Sequence, residues 1–224
     1  MKNDPIASAV ADILRRMNNA AKRAGRDPRE ITLIAVTKGV GQESVLASAS
    51  AGITVFGENR VQEAINKFSN KTLLPSASLH FIGSLQMNKV RKAVGFFDLI
   101  HSIDSIALAE KVEEEANRQA IVQSVLIQVN IGDESAKGGV SVKEFPPLFQ
   151  AIQKCPHLTL LGVMAIPPQT ANPRPYFSRL RELGASFGLT GLSMGMSSDF
   201  EAAIEQGATW VRIGTAIFGA RPPI

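Results

Sequence analysis

Cysteine, tyrosine and tryptophan are nearly missing: the 224-residue chain has one of each. A lone cysteine, Cys155 in QKCPHL, cannot build a disulfide framework, so a reducing, cytoplasmic setting is expected. Cys155 reads as a small buried hydrophobe, because His157 two residues on makes no dyad by adjacency alone. No apolar run approaches a membrane span, and the opening MKNDPIASAVADILRRMNNAAKRAG lacks the apolar core of a signal peptide. Net charge is small, +4 from 24 Lys+Arg against 20 Asp+Glu, and no basic tract is interleaved with aromatics. Nucleic-acid and membrane partners are therefore not expected, although a mildly basic chain attracts phosphate-bearing ligands. No linker, low-complexity tract or composition break divides the chain, and the proline-rich IPPQTANPRPYF (166–177) reads as a loop. Residues 1–224 are expected to form one domain and a monomer, with no metal site.

What the chain does have is a rhythm. Ile6, Val10, Ile13, Leu14 and Met17 recur at helical spacing, Asp4-Pro5 offers a cap, and Gly25 a stop. After this helix come eight short, nearly continuous apolar runs: ITLIAVT, ITVFGEN, LHFIGS, FDLIHSI, SVLIQVNI, LTLLGVMAI, GLSMGM and WVRIGTA. Such runs suit parallel strands covered on both faces. Helical patterns separate them, among them QESVLASASA, RVQEAINKFS, QMNKVRKAV and SSDFEAAIEQG. Eight strand–helix repeats predict an α/β fold, a closed (β/α)8 TIM-type barrel with one helix before strand 1. An open doubly wound sheet is the alternative, but TKGVGQES after the first strand is a poor glycine fingerprint.

Barrels of this kind gather chemistry at the C-terminal strand ends. There stand Lys38, Glu58 with Asn59, Ser84, His101 with Ser102, Asn130, Ser197 with Ser198, and Arg212 with Gly214 and Thr215. Lys38 shares a strand face with Ile34 and Val36. A partly desolvated amine at an apolar rim gives up its proton more readily and attacks carbonyls. Position alone slightly favours a lysine that snorkels into water. The end of the chain changes that balance. Ser197 and Ser198 precede a helix starting near Asp199, and Gly214-Thr215 follow the eighth strand. Loops seven and eight often hold phosphate in this fold, whereas helix capping accounts for one serine only. A lysine beside a phosphate site suits a phosphorylated aldehyde such as pyridoxal 5′-phosphate (PLP), whose ring nitrogen Arg212 could face. The plain alternative for Arg212 is an ion pair with a strand-end carboxylate such as Glu58.

AVTKG, FGENRVQEA, HFIGSLQMNKV, HSIDS, VNIGDES, GVMAIPP and LSMGMSSDFEAAIEQGATWVRIGTAIFGAR together resemble the pyridoxal phosphate homeostasis protein family. That family is a single-domain relative of the N-terminal barrel of alanine racemase. The resemblance implies an alanine-racemase-like barrel with PLP bound to Lys38 as an internal aldimine. It implies that Ser197, Gly214 and Thr215 hold the phosphate, that Arg212 faces the pyridine nitrogen and that Asn59 lies near the ring. It implies intracellular buffering and delivery of PLP, with PLP-dependent apo-enzymes as partners, and an influence on amino-acid and keto-acid balance.

Whether the chain is an enzyme is a separate question. A racemase needs an acid/base group on each face of the substrate carbon. The chain has no second domain, and its one tyrosine, Tyr176, reads as a packing residue. An arginine at the ring nitrogen stays protonated and leaves that nitrogen a poor electron sink. The expectation is a cofactor holder without robust turnover. One alternative is a PLP-dependent racemase using His80, His101 or Tyr176, and another is a Schiff-base sugar-phosphate aldolase. The charged helix SIALAEKVEEEANRQA reads as a solvated barrel face more than a docking surface.

Overall fold

Asp4 opens the first helix as its residue type predicts. It is the N-cap of α1 (Pro5–Arg23), and the Ile6 amide donates to Asp4 Oδ1 at 2.9 Å. The structure is a computed structural model and describes residues 4–69, 74–134 and 136–220. Val10, Ile13 and Met17 form the buried stripe of α1, whereas Leu14 stands 39% exposed. Leu14 follows Ile13 by one residue, about 100° around the helix, which turns it off the stripe. Gly25 ends the segment with φ +66°.

The repeats follow in order: β1 (Thr32–Val36), α2 (Gln42–Ser50), β2 (Val55–Glu58), α3 (Val61–Phe68), β3 (Ser78–Phe81), α4 (Val90–Ala93), β4 (Leu99–Ile103) and α5 (Ile106–Arg118). The second half adds β5 (Gln123–Gln128), α6 (Phe145–Gln153), β6 (Leu158–Met164), α7 (Arg174–Ser186), β7 (Gly191–Ser193), α8 (Phe200–Glu205), β8 (Trp210–Ile213) and α9 (Thr215–Phe218). The eight strands are parallel and form a closed barrel in sequence order. β8 pairs back onto β1, with Ile34 in register with Arg212. The predicted (β/α)8 architecture with a leading helix is therefore the observed one.

Three boundaries differ from the sequence pattern. QMNKVRKAV forms a 3-10 turn at Met87–Lys89 before the short α4. β5 stops at Gln128, and Val129 continues only as an isolated bridge to Val140. WVRIGTA stops being a strand at Ile213, because Gly214 turns the chain into α9.

Side chains alternate across each strand. Outward residues such as Phe56, Phe81 and Ile100 pack with the helices in the main core. Inside the barrel, Leu99, Leu126 and Met164 pack together with Trp210 against them. Burial of each such side chain contributes about 1.5–3 kcal/mol. Helix α1 packs on α2, α8 and α9. Its Arg16 reaches Glu201 at 2.6 Å and its Arg23 reaches Glu205 at 2.8 Å, both at the surface. Among the described residues, no helix is long and apolar enough to cross a membrane.

Candidate functional site

Alternation continues past the strand ends and sorts the rim residues into two sets. The inward set borders a cavity of about 540 Å³ at the C-terminal ends of the strands. Lys38, Asn59, Ser197, Arg212, Gly214 and Thr215 all line it, together with Ser84 and Gln128. That volume is ordinary for a small-ligand site. Lys38 and Arg212 are the only ionisable side chains among the described lining residues.

Lys38 stands exposed at the mouth, and among the described residues its amine has no hydrogen bond or ion pair. The expected desolvation by the apolar rim is thus absent, because β1 ends at Val36 and the lysine rides on the turn beyond it. That turn is closed by the Val40 amide bonding the Thr37 carbonyl at 2.9 Å, and Gly39 takes φ +67°, a conformation that favours glycine.

The outward set makes a charged cluster behind this turn. The Thr37 hydroxyl donates to Glu58 Oε1 at 2.7 Å, and Lys67 Nζ donates to the same oxygen at 2.6 Å. Lys67 Nζ also reaches the Thr37 carbonyl at 2.6 Å and Glu63 Oε1 at 3.1 Å. Glu63 Oε1 accepts the Gly39 amide at 2.5 Å. Burial pushes the Glu58 carboxyl up from its ordinary value, against the opposing pull of Lys67 and Thr37. The backbone amide of Gly39, with Lys67, holds Glu63 below its ordinary value despite burial.

Arg212 lies deeper, in register with Ile34 and only 4% exposed. Among the described residues no ion pair involves it; Glu58, its suggested partner, faces outward to Lys67. Instead its Nη1 donates to Ser193 Oγ at 2.6 Å and its Nη2 to the Ala165 carbonyl at 2.9 Å. Ser193 Oγ is 2.9 Å from His101 Nδ1, and His101 Nε2 is 3.0 Å from His80 Nδ1. Burial pushes His80 down to about 4 and His101 well below its usual value, so both rings are neutral near pH 7. Burial lowers Arg212 only to about 10, so its guanidinium keeps its charge.

Loops seven and eight touch each other. Ser197 Oγ accepts the Ala216 amide at 3.4 Å, while Asp199 Oδ1 accepts the Met196 amide at 2.6 Å. Among the described residues no side chain caps α8; Ser197 instead meets a first-turn amide of α9, across from its own loop. Asn59 is pressed from behind, since a Cβ on Gly83 would lie 2.3 Å from the Asn59 carbonyl oxygen. Its Oδ1 is buried without a hydrogen-bond partner among the described residues. An open cavity edged by an amine, a guanidinium, hydroxyls and side-chain amides fits a small anionic ring with polar substituents.

Some rim candidates do not belong to the cavity. His101 and Ser102 are buried within β4, and Asn130 turns back to donate to the Glu134 carbonyl at 2.8 Å. β5 ends two residues early, so Gln128 lines the cavity where Asn130 was expected. Lys67 and Ser193 were not singled out by sequence at all; the i, i+4 pair Glu63–Lys67 on α3 was the available signal for the first. Cys155 is half-buried, and burial with Glu113 and Glu110 pushes its thiol up, which disfavours the thiolate. His157 is occupied by Glu113, at 2.8 Å.

A family profile described as "Alanine racemase, N-terminal domain" matches residues 9–222, the class of barrel that this topology and rim define. A curated relative from Pseudomonas aeruginosa, named pyridoxal phosphate homeostasis protein, is 43% identical over 221 residues, covering 96% of each chain. The chain belongs to the pyridoxal phosphate homeostasis protein family. A structure of PipY from Synechococcus elongatus, described as having PLP bound, is 34% identical with a TM-score of 0.80, covering 91% of this chain and all of that one. An alanine racemase from Clostridium difficile shares the fold at a TM-score of 0.70 and 14% identity, over 95% of this chain and 57% of that one.

Proposed function

We propose that this chain binds pyridoxal phosphate in its rim cavity and serves PLP homeostasis by holding and releasing the cofactor. The observation that carries the reading is the convergence of all six candidate residues on one cavity. When bound, PLP supplies an aldehyde that an amine can capture and a ring that withdraws electrons. Lys38 is the capturing amine, and its exposure leaves it open to an arriving ligand. Ser197, Gly214 and Thr215 receive the phosphate, on loops already tied together through Ala216. Arg212 faces the ring nitrogen, and Asn59 lines the cavity near the ring edge.

The same cavity disfavours racemisation. Its described lining contains no carboxylate, imidazole or phenol to act as a second base. His80 and His101 are bonded to each other beneath it, and Tyr176 packs against the hydrophobic core. Arg212 cannot take a proton from the ring nitrogen. Holding is thus favoured over turnover. Transfer to PLP-dependent apo-enzymes, a cytoplasmic setting, a monomeric state and a single domain complete the reading.

Titration with PLP should turn the protein yellow, and borohydride should fix the chromophore on Lys38, located by peptide mass spectrometry. Lys38→Ala should lose the label. Unchanged covalent labelling of that variant overturns the assignment. A preparation that stays colourless with added PLP favours an aldolase instead.

A further inference from the structure

Lys38 has two peptide groups attached to its own Cα, and both are held by the cluster behind the rim. The carbonyl of the Thr37–Lys38 peptide accepts Lys67 Nζ at 2.6 Å. The amide of the Lys38–Gly39 peptide donates to Glu63 Oε1 at 2.5 Å. Lys67 closes the link by bonding Glu63 at 3.1 Å and Glu58 at 2.6 Å, and Thr37 adds its hydroxyl to Glu58 at 2.7 Å. One ammonium thus connects the strand end, the turn and helix α3.

Stability alone does not account for this arrangement. The Lys67 side chain is 9% exposed and that of Glu58 is 1% exposed, and Glu58 Oε2 is buried without a hydrogen-bond partner among the described residues. Burying such a pair carries a desolvation cost that an apolar pair of equal volume would avoid. What the ions supply is direction. Their bonds end on the two backbone groups that flank the Lys38 Cα, while the amine itself is exposed and makes no hydrogen bond or ion pair among the described residues.

We infer that Lys67, acting with Glu58 and Glu63, is a positioning residue that aims Lys38 into the cavity. The inference rests on the reading of Lys38 as the amine that captures PLP. An amine on a loose turn samples many orientations, and each captured aldehyde must wait for the right one. Among the described residues the hydrogen bonds and ion pairs of the cluster reach neither phosphate loop, so it should govern capture and leave phosphate recognition alone.

Two probes separate these effects: PLP itself, and pyridoxine 5′-phosphate, which lacks the aldehyde. In full-length protein, Lys67→Met should slow the appearance of the yellow chromophore about tenfold or more. Binding of pyridoxine 5′-phosphate, read by isothermal titration, should stay within about twofold of wild type. Lys67→Arg should recover part of the rate, since it restores a cation that can reach both carboxylates. Glu63→Ala is the second variant, because Glu63 is partly exposed and its removal frees only the Gly39 amide and one Lys67 contact. It too should slow capture, and it decides the matter if Lys67→Met does not fold. Capture at the wild-type rate in a folded Lys67→Met protein, or in Glu63→Ala, overturns the inference. So does a parallel loss of pyridoxine 5′-phosphate binding, which would mean general damage. If wild type itself carries no label at Lys38, the functional reading fails instead.

Discussion

The cavity presents two cations supported in opposite ways. Lys38 is exposed and, among the described residues, without a side-chain partner, and the charges that fix it lie behind its backbone. Arg212 is buried, and neutral groups fix its head: a serine, a carbonyl and, through the serine, two imidazoles. The contrast follows from strand alternation. At the ends of β1 and β2 the outward residues are Thr37 and Glu58, within reach of a helix lysine. On β4, β7 and β8, His101, Ser193 and Arg212 point inward, where a second charge would have no water and only another buried group to pair with. The contrast suits the roles proposed above: an amine that captures an aldehyde is best left free, while a guanidinium that faces one ring atom is best locked.

The comparison predicts that damage to the charged support costs more than damage to the neutral one. Lys67→Ala strands Glu58 in the core and should lower stability by about 3–5 kcal/mol, measured by urea denaturation. Acid should act on the neutral side next. The His80 folded value of about 4 lies below the ordinary 6.5, so the unfolded chain takes up a proton first as pH falls. Stability present above pH 6.5 is lost towards pH 4, by up to about 3 kcal/mol from this group. His80→Asn keeps an acceptor for His101 without the titration and should flatten the melting temperature across that range. Glu58 carries the opposite sign: its raised value favours the folded state at low pH, and that part is lost as pH rises through it. Ser193→Ala removes one acceptor from Arg212 and should cost about 1–3 kcal/mol, with the absorption spectrum of bound PLP altered. A loss equal to that of Lys67→Ala would break the comparison. Smallest of all, Arg23→Ala, at a surface pair remote from both supports, should leave the urea midpoint essentially where it is.

The barrel was legible because its strands are nearly unbroken runs of Val, Ile and Leu between helical patterns, and both signals are local. The inward site residues were legible for a similar reason. Lys38, Asn59 and Arg212 interrupt or end those runs, and polar residues there demand an explanation. The supports were not legible. Glu58 and Lys67 lie nine residues apart on different elements, and nothing local says that they meet. His80, His101 and Ser193 sit on three strands and join only across the closed interior. His101 read as a rim residue because its place along β4 depends on where pairing with β3 and β5 stops. The exposure of Lys38 is one of two readings of its position, and the choice is not local: the end of β1 at Val36 is set by its partners, not by its own residues.

The closure of β8 onto β1 has a consequence for the order in which the site comes into being. Lys38 follows the first of the eight barrel strands in chain order, and Arg212 lies on the last. A nascent chain therefore carries the reactive amine for most of its synthesis, with neither the guanidinium nor the phosphate loops in place. Ring closure is a long-range contact, which forms late and slowly. On the proposed reading, the amine has a cavity to serve only once the barrel shuts, so cofactor loading would also report that folding is complete.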